Sequence, residues 1–167
     1  MLTRPSWLMV AQRYLGLREI PGAPTEPTIA GWLRKLRAWW ADDETPWCGT
    51  YVAACLSESG YPVARHWYRA KGWLDWGVPI AGPAVGAVVV FDRQGGGHVG
   101  FVVGRDSANR LLVLGGNQGN AVSVATFDLT ARPAAGYRWP GTVPIPSVGI
   151  ALLPTQVAHG AASTNEA

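Results

Sequence analysis

The stretch Pro46–Gly60, PWCGTYVAACLSESG, decides the fold. Proline suits the first turn of a helix, where its missing N–H would have no partner, and glycine readily takes the left-handed conformation that ends one. Between them the residues are almost all apolar or small, so the pattern predicts a helix from Pro46 to about Ser59, with Cys48 in its first turn. Both cysteines of the chain fall on this helix, and seven residues at 1.5 Å each separate them by about 10 Å along the axis. A disulfide needs Cα atoms within about 7 Å, so helix geometry excludes the bridge that counting alone would draw.

A zinc site through these cysteines would need further soft or imidazole ligands at close spacing, and the three histidines, His66, His98 and His159, come with no second cysteine pair. No metal and no cofactor is implied. Cys55, between Ala54 and Leu56, reads as a small packing residue. Cys48 differs, because unpaired N–H groups and the positive end of the helix dipole stabilise a thiolate there. Such a cysteine is poised for nucleophilic attack if a base stands beside it.

Working outward toward the N-terminus, Trp7, Leu8, Ala11, Tyr14 and Leu15 recur at helical spacing and predict an amphipathic helix over residues 5 to 16. EIPGAPTEP (19–27) is a proline-punctuated loop. Thr28 is placed to cap a second helix through Trp40, with Ile29, Trp32, Leu33, Leu36 and Trp40 on one face. The ADDET turn (41–45) then leads into Pro46, with Asp42 and Asp43 read as solvated turn residues. A calcium site would need six or more oxygens, and no loop supplies them.

Downstream, residues 61–79 are aromatic and irregular, with one short helix expected near Ala64–Arg69. From Gly86 the texture changes to AVVVF, HVGFVVG, LLVLGG and AVSVATF, short β-rich runs divided by Gly, Asn and Asp, with GYRWP (136–140) as a last strand; this is the pattern of an antiparallel meander. Helices first and a sheet afterwards make an α+β fold, N-terminal helices packed on a C-terminal antiparallel sheet. The chain is 167 residues long, which suits a single core. We place one domain over residues 1–145 and expect residues 146–167, small and polar toward the end, to form a loosely ordered tail.

Charge narrows the function classes. A net charge of +3 from scattered basic residues offers no track for phosphates, so nucleic acid is not an expected partner. No segment reaches the roughly 18 apolar residues of a membrane span. The start lacks a secretory signal pattern, since Arg13, Arg18 and Glu19 interrupt it, so synthesis in the cytoplasm is expected.

A base for Cys48 is expected from the sheet, although His98 also reads as an ordinary strand residue beside a tight turn. His98 follows three glycines, which leave backbone room beside an imidazole, and it begins a strand that fixes its direction. If HVGFVVG and LLVLGG pair so that partner numbers sum to about 213, His98 lies opposite Gly115 and Asn117 is a diagonal neighbour at about 7 to 8 Å. An Asn117 carboxamide accepting the Nδ1 proton would leave Nε2 for the thiol.

These blocks in this order, PWCGTYVAACL, GHVGFVVG, LGGNQGNAVSV and GYRWP, resemble the CHAP and NlpC-type branch of the papain-like cysteine peptidases, and more closely short phage and prophage peptidoglycan hydrolases. The resemblance implies cleavage of an amide bond in peptidoglycan stem peptides, by an endopeptidase or amidase of the endolysin kind, through a thioester. It implies Cys48 as nucleophile, His98 as base and then acid, and Asn117 as third member. Trp47, beside the nucleophile, and Gln118 are the residues expected at the substrate. Many CHAP domains carry an acid where this chain has Gly115, so the triad is of the Asn type or leans on Gln118. Other readings are a delivered antibacterial effector, a non-catalytic wall-binding module, and an acyltransferase with the same nucleophile. Peptidoglycan is the expected partner, reached after release or delivery from the cytoplasm, and the chain is expected to act as a monomer.

Overall fold

A helix that is apolar on every side has nowhere to go but the interior. In the computed structural model, which describes residues 4–22, 24–43 and 45–156, the third helix, α3 (Cys48–Glu58), is buried over nine consecutive residues, Cys48 to Leu56. It packs on the sheet and is flanked by α1 (Ser6–Arg13) and α2 (Pro27–Lys35). Its C-terminus closes as expected on Gly60, at φ 85°, with Tyr61 N–H donating to Leu56 C=O and Gly60 N–H to Ser57 C=O. That pair of bonds satisfies carbonyls the helix would otherwise leave unpaired.

The sheet has six strands: β1 (Val78–Ile80), β2 (Val88–Arg93), β3 (Gly96–Arg105), β4 (Leu111–Gly115), β5 (Ser123–Phe127) and β6 (Ala134–Trp139). Their order is β1-β6-β2-β3-β4-β5, with every neighbouring pair antiparallel. The α+β class and the β2 to β5 meander are as predicted. The short β1 was not, and β6 returns across the sheet to pair with β2.

Several boundaries moved for identifiable reasons. α2 starts at Pro27 rather than Thr28, because the Glu26 side chain accepts from Ile29 N–H and supplies the cap. It ends at Lys35, not Trp40: Arg37 turns left-handed at φ 59°, and Ala38 N–H closes onto Leu33 C=O. Trp39 and Trp40 therefore leave the helix axis. The expected short helix near Ala64–Arg69 is a turn, and a 3-10 helix forms just after it, over Ala70–Asp75.

The tail expectation needs correction in its first half. Residues 146–156 are strapped along the end of β3: Arg105 N–H donates to Pro154 C=O, Gln156 N–H donates to Arg105 C=O, and Leu153 is buried. Burial of Leu153 anchors this docking, and that signal was masked by the polar composition beyond it. The rest of the predicted tail, 157–167, lies outside the described residues. Among those described, no helix is long and apolar enough to cross a membrane.

Gly60 isolates one backbone effect. A Cβ there would meet no heavy atom within 4 Å, so Gly60→Ala carries only the left-handed strain. We expect a loss of about 1 kcal/mol in chemical denaturation, with an unchanged denaturant slope.

Candidate active site

Cys48 is the first residue of α3, following Trp47 at the N-cap, and no side-chain hydrogen bond caps this end. The first-turn N–H groups thus keep their partial positive charge at the cysteine. Two glycines bring a second segment close. A Cβ on Gly49 would lie 2.2 Å from the Trp67 carbonyl oxygen, and one on Gly97 would lie 3.2 Å from Lys71 Cγ. The chain from Trp67 to Lys71 therefore runs against the residue after Cys48 and the residue before His98, tying the head of α3 to the start of β3. The three glycines before His98 divide their roles. Gly95 makes the turn at φ 82°, Gly96 meets nothing, and Gly97 allows the approach.

His98 is fully buried on β3, opposite Phe91. Its ring stacks on Phe127 at 5.7 Å and 16°, and Phe127 in turn stacks on Phe91 at 4.4 Å. These contacts fix the plane of the imidazole. Burial lowers its pKa to about 4; the hydrogen bond it donates to Gln118 opposes the shift, and the positive charges of Arg132 and Arg93 add to it. His98 therefore rests as a neutral imidazole at neutral pH.

The proton position follows from the next side chain. Gln118 Nε2 donates to Ser123 C=O at 2.7 Å and Val113 C=O at 3.2 Å, so its other end must be the carbonyl oxygen. That oxygen, Oε1, lies 2.9 Å from His98 Nε2 and accepts its proton. In the neutral ring Nδ1 must then hold the lone pair. It is buried and makes no hydrogen bond among the described residues.

This reverses two sequence-based expectations. The nitrogen left for a thiol is Nδ1 rather than Nε2, and the carboxamide that orients the ring belongs to Gln118 rather than Asn117. The cause is that the chain leaves the ladder at Gly115: Asn117 turns left-handed at φ 57°, and Gln118, held by the Val113 and Ser123 carbonyls, folds back to the ring. The register also differs from the expected one. Partner numbers between β3 and β4 sum to 216 near the turn (Arg105 with Leu111) and to 215 beyond a bulge at Val103 (Phe101 with Leu114), rather than about 213. A longer connection built on Asp106, whose carboxylate accepts from Ala108 and Arg110 N–H, accounts for the difference.

Asn117 sits past the end of β4 in a left-handed turn at φ 57°, buried, with Oδ1 lacking a partner among the described residues. Gly115 is what admits Gln118 to the ring, since a Cβ there would stand 2.6 Å from Gln118 Oε1 and 3.3 Å from His98 Nε2.

Two residues assigned to substrate are spent on structure. Gln118 is 2% exposed, with its carboxamide engaged at both ends. Trp47 is 1% exposed; its indole N–H donates to Glu19 at 3.0 Å, and its ring lies where any side chain on Gly116 would have to go. It anchors the head of α3 instead of lining a groove. Trp67, Trp73 and Trp76 are likewise buried, the last two donating to Trp67 and Pro62 carbonyls.

The acidic turn also divides. Asp42 accepts from Thr45 N–H and hydroxyl, a local turn as expected. Asp43 is buried rather than solvated, and its Oδ2 accepts from Ile20 and Glu26 N–H, pinning the 20–26 loop beside the cysteine segment. Cys55 is fully buried and not in a disulfide; burial pushes its thiol pKa up, against the opposing hydrogen bond of Tyr51. It is a packing residue.

A cysteine heading a buried helix, laid on an antiparallel sheet that holds an imidazole and its carboxamide partner, is the α+β layout of the papain-like cysteine peptidases. Residues 40–117 match the family model of the CHAP domain. The match includes Cys48 and His98 and stops one residue short of Gln118. No curated protein and no solved structure matches the chain.

The low pKa of His98 has a consequence for stability. Between about pH 4 and 6.5 the unfolded chain binds a proton at this position that the folded chain does not. The contribution of neutral His98 is therefore complete above about pH 6.5 and falls as the pH drops toward 4, by on the order of 3 kcal/mol. In urea titrations at a series of pH values, His98→Phe should flatten that slope relative to wild type; parallel curves would contradict it.

Proposed function

We propose that this protein is a cysteine-dependent peptidoglycan hydrolase that cleaves an amide bond of the stem peptide, as endopeptidase or amidase. The CHAP match supports the substrate class. The observation that carries the mechanism is the fixed tautomer of His98, whose Nε2 proton is held by Gln118 while Nδ1 keeps a lone pair.

In this reading His98 Nδ1 takes the Cys48 thiol proton, and the thiolate attacks the amide carbonyl carbon. The resulting oxyanion is stabilised by backbone N–H groups in the first turn of α3. Thr45 donates its hydroxyl to Asp42, and Asp43 is held by the 20–26 loop, so the stabilisation is assigned to the backbone. The Nδ1 proton then passes to the departing amine, the C–N bond breaks, and a Cys48 thioester remains. Water, deprotonated by the same nitrogen, attacks the thioester and releases the carboxylate product and the thiol. Gln118 keeps the ring in place through both halves. The substrate lies in the bacterial wall, reached after release or delivery, and an endolysin-like role fits this chemistry.

Digestion of purified sacculi under reducing conditions tests the proposal. Wild type should release peptide-containing fragments with new termini visible by mass spectrometry, and Cys48→Ala should release none. Absence of fragments from wild type between about pH 5 and 9 would sink it. Gln118→Ala should lower kcat/KM by at least roughly 10- to 100-fold, the cost of losing the hydrogen-bond partner of a metal-bound imidazole, and by up to about 10⁴-fold if the tautomer is lost. Gly115→Ala should do the same by displacing Oε1, and unchanged kinetics in both variants would remove Gln118 from the mechanism.

A further inference from the structure

We infer that the exposed indole of Trp39 is a stacking platform for a sugar ring of the wall glycan, placed beside the head of α3. The inference rests on the reading of the chain as a wall hydrolase and names the part of the substrate that this surface would take.

Trp39 is 76% exposed, while eight of the nine tryptophans serve the core or its margin. Its position is built. The left-handed turn at Arg37 ends α2 early and carries residues 38–40 off the helix. The Trp39 ring then meets Trp40 at 4.6 Å and 75° and Tyr68 at 5.0 Å and 78°, both edge-on arrangements that hold it upright. Trp40 stacks on Trp67 at 5.7 Å and 28°. Trp67 and Tyr68 are the residues whose backbone presses on Gly49, next to Cys48. A continuous aromatic path therefore links the nucleophile's helix turn to the exposed ring.

The chemistry selects the occupant. A rigid indole standing out from the surface presents an open face rather than a pocket, and the C–H face of a pyranose is attracted to the negative quadrupole of such a face. An apolar peptide side chain would gain more from a concave site. The rim is cationic and polar: Arg69 lies over Tyr68 at 5.7 Å, and exposed His66 pairs through Nδ1 with the Tyr68 hydroxyl at 3.2 Å. Those groups complement the hydroxyl, acetamido and carboxylate groups of an N-acetylated, acid-bearing glycan.

The test is binding, independent of turnover. A β-1,4-linked N-acetylglucosamine tetramer and, separately, a stem tripeptide are titrated into the full chain. The readout is the set of indole N–H signals in NMR, with that of Trp39 assigned by its loss in Trp39→Ala. The tetramer should shift the Trp39 signal, and Trp39→Ala should weaken its affinity about three- to tenfold. Trp39→Phe, which keeps a flat face, should recover most of it, and far-UV circular dichroism verifies that both variants fold. Equal affinity of Trp39→Ala for the tetramer, no binding at all, or a Trp39 response to the tripeptide alone would each overturn the glycan assignment. Sacculus digestion is read separately. Hydrolysis without Trp39-dependent sugar binding leaves the catalytic proposal standing and removes the platform, while sugar binding without hydrolysis does the reverse.

Discussion

The complete burial of α3 is the constraint on which the rest depends. Nine successive residues without a polar face require cover on all sides, and the sheet, α1, α2 and the Trp67–Lys71 segment supply it. Cover of that kind leaves the helix no freedom to slide or roll, because Gly49 already touches the Trp67 carbonyl and Tyr51 donates its hydroxyl to Ala11 C=O at 2.6 Å. A cysteine at the head of such a helix is positioned by the whole core. Trp47 completes the clamp: its ring fills the space over Gly116, and its N–H reaches Glu19.

Around His98 the same economy operates with polar groups. The backbone carbonyls of Val113 and Ser123 orient Gln118, Gln118 orients the imidazole, and the Phe127 face fixes its plane. Each step is dictated by satisfying a buried donor or acceptor, so the protonation pattern of the site is written into the end of β4 and the start of β5. The glycines at 115 and 116 are the steric condition for both contacts, one making room for a carboxamide and the other for an indole.

Much of this was legible in the sequence. Pro46 and Gly60 bracket α3, the switch from helical to alternating texture marks the sheet, and the cysteine at a helix head with a histidine at a strand start stands out. What failed depended on tertiary context. The β3–β4 register turned on a bulge at Val103 and on a carboxylate-organised loop at Asp106, neither of which has a periodic signature. The exchange of roles between the carboxamides at 117 and 118 came from the left-handed turn at Asn117, which follows the end of β4 and brings Gln118 back to the ring. The end of α2 was missed because Arg37, not glycine, adopts the left-handed conformation. Trp47 and Asp43 looked like surface residues because their partners, Glu19 and the amides of Ile20 and Glu26, come from a loop whose return path has no pattern in the sequence.

The orienting partner of His98 is uncharged, and this sets the character of the site. A carboxylate in that place would stabilise the imidazolium and add a fixed negative charge against an anionic polymer. With Gln118 there, the imidazolium of the proposed reaction would have no counterion from its partner and would be a stronger acid. Electroneutrality at the third position would thus favour the half of the proposed cycle in which the proton is surrendered to the leaving amine.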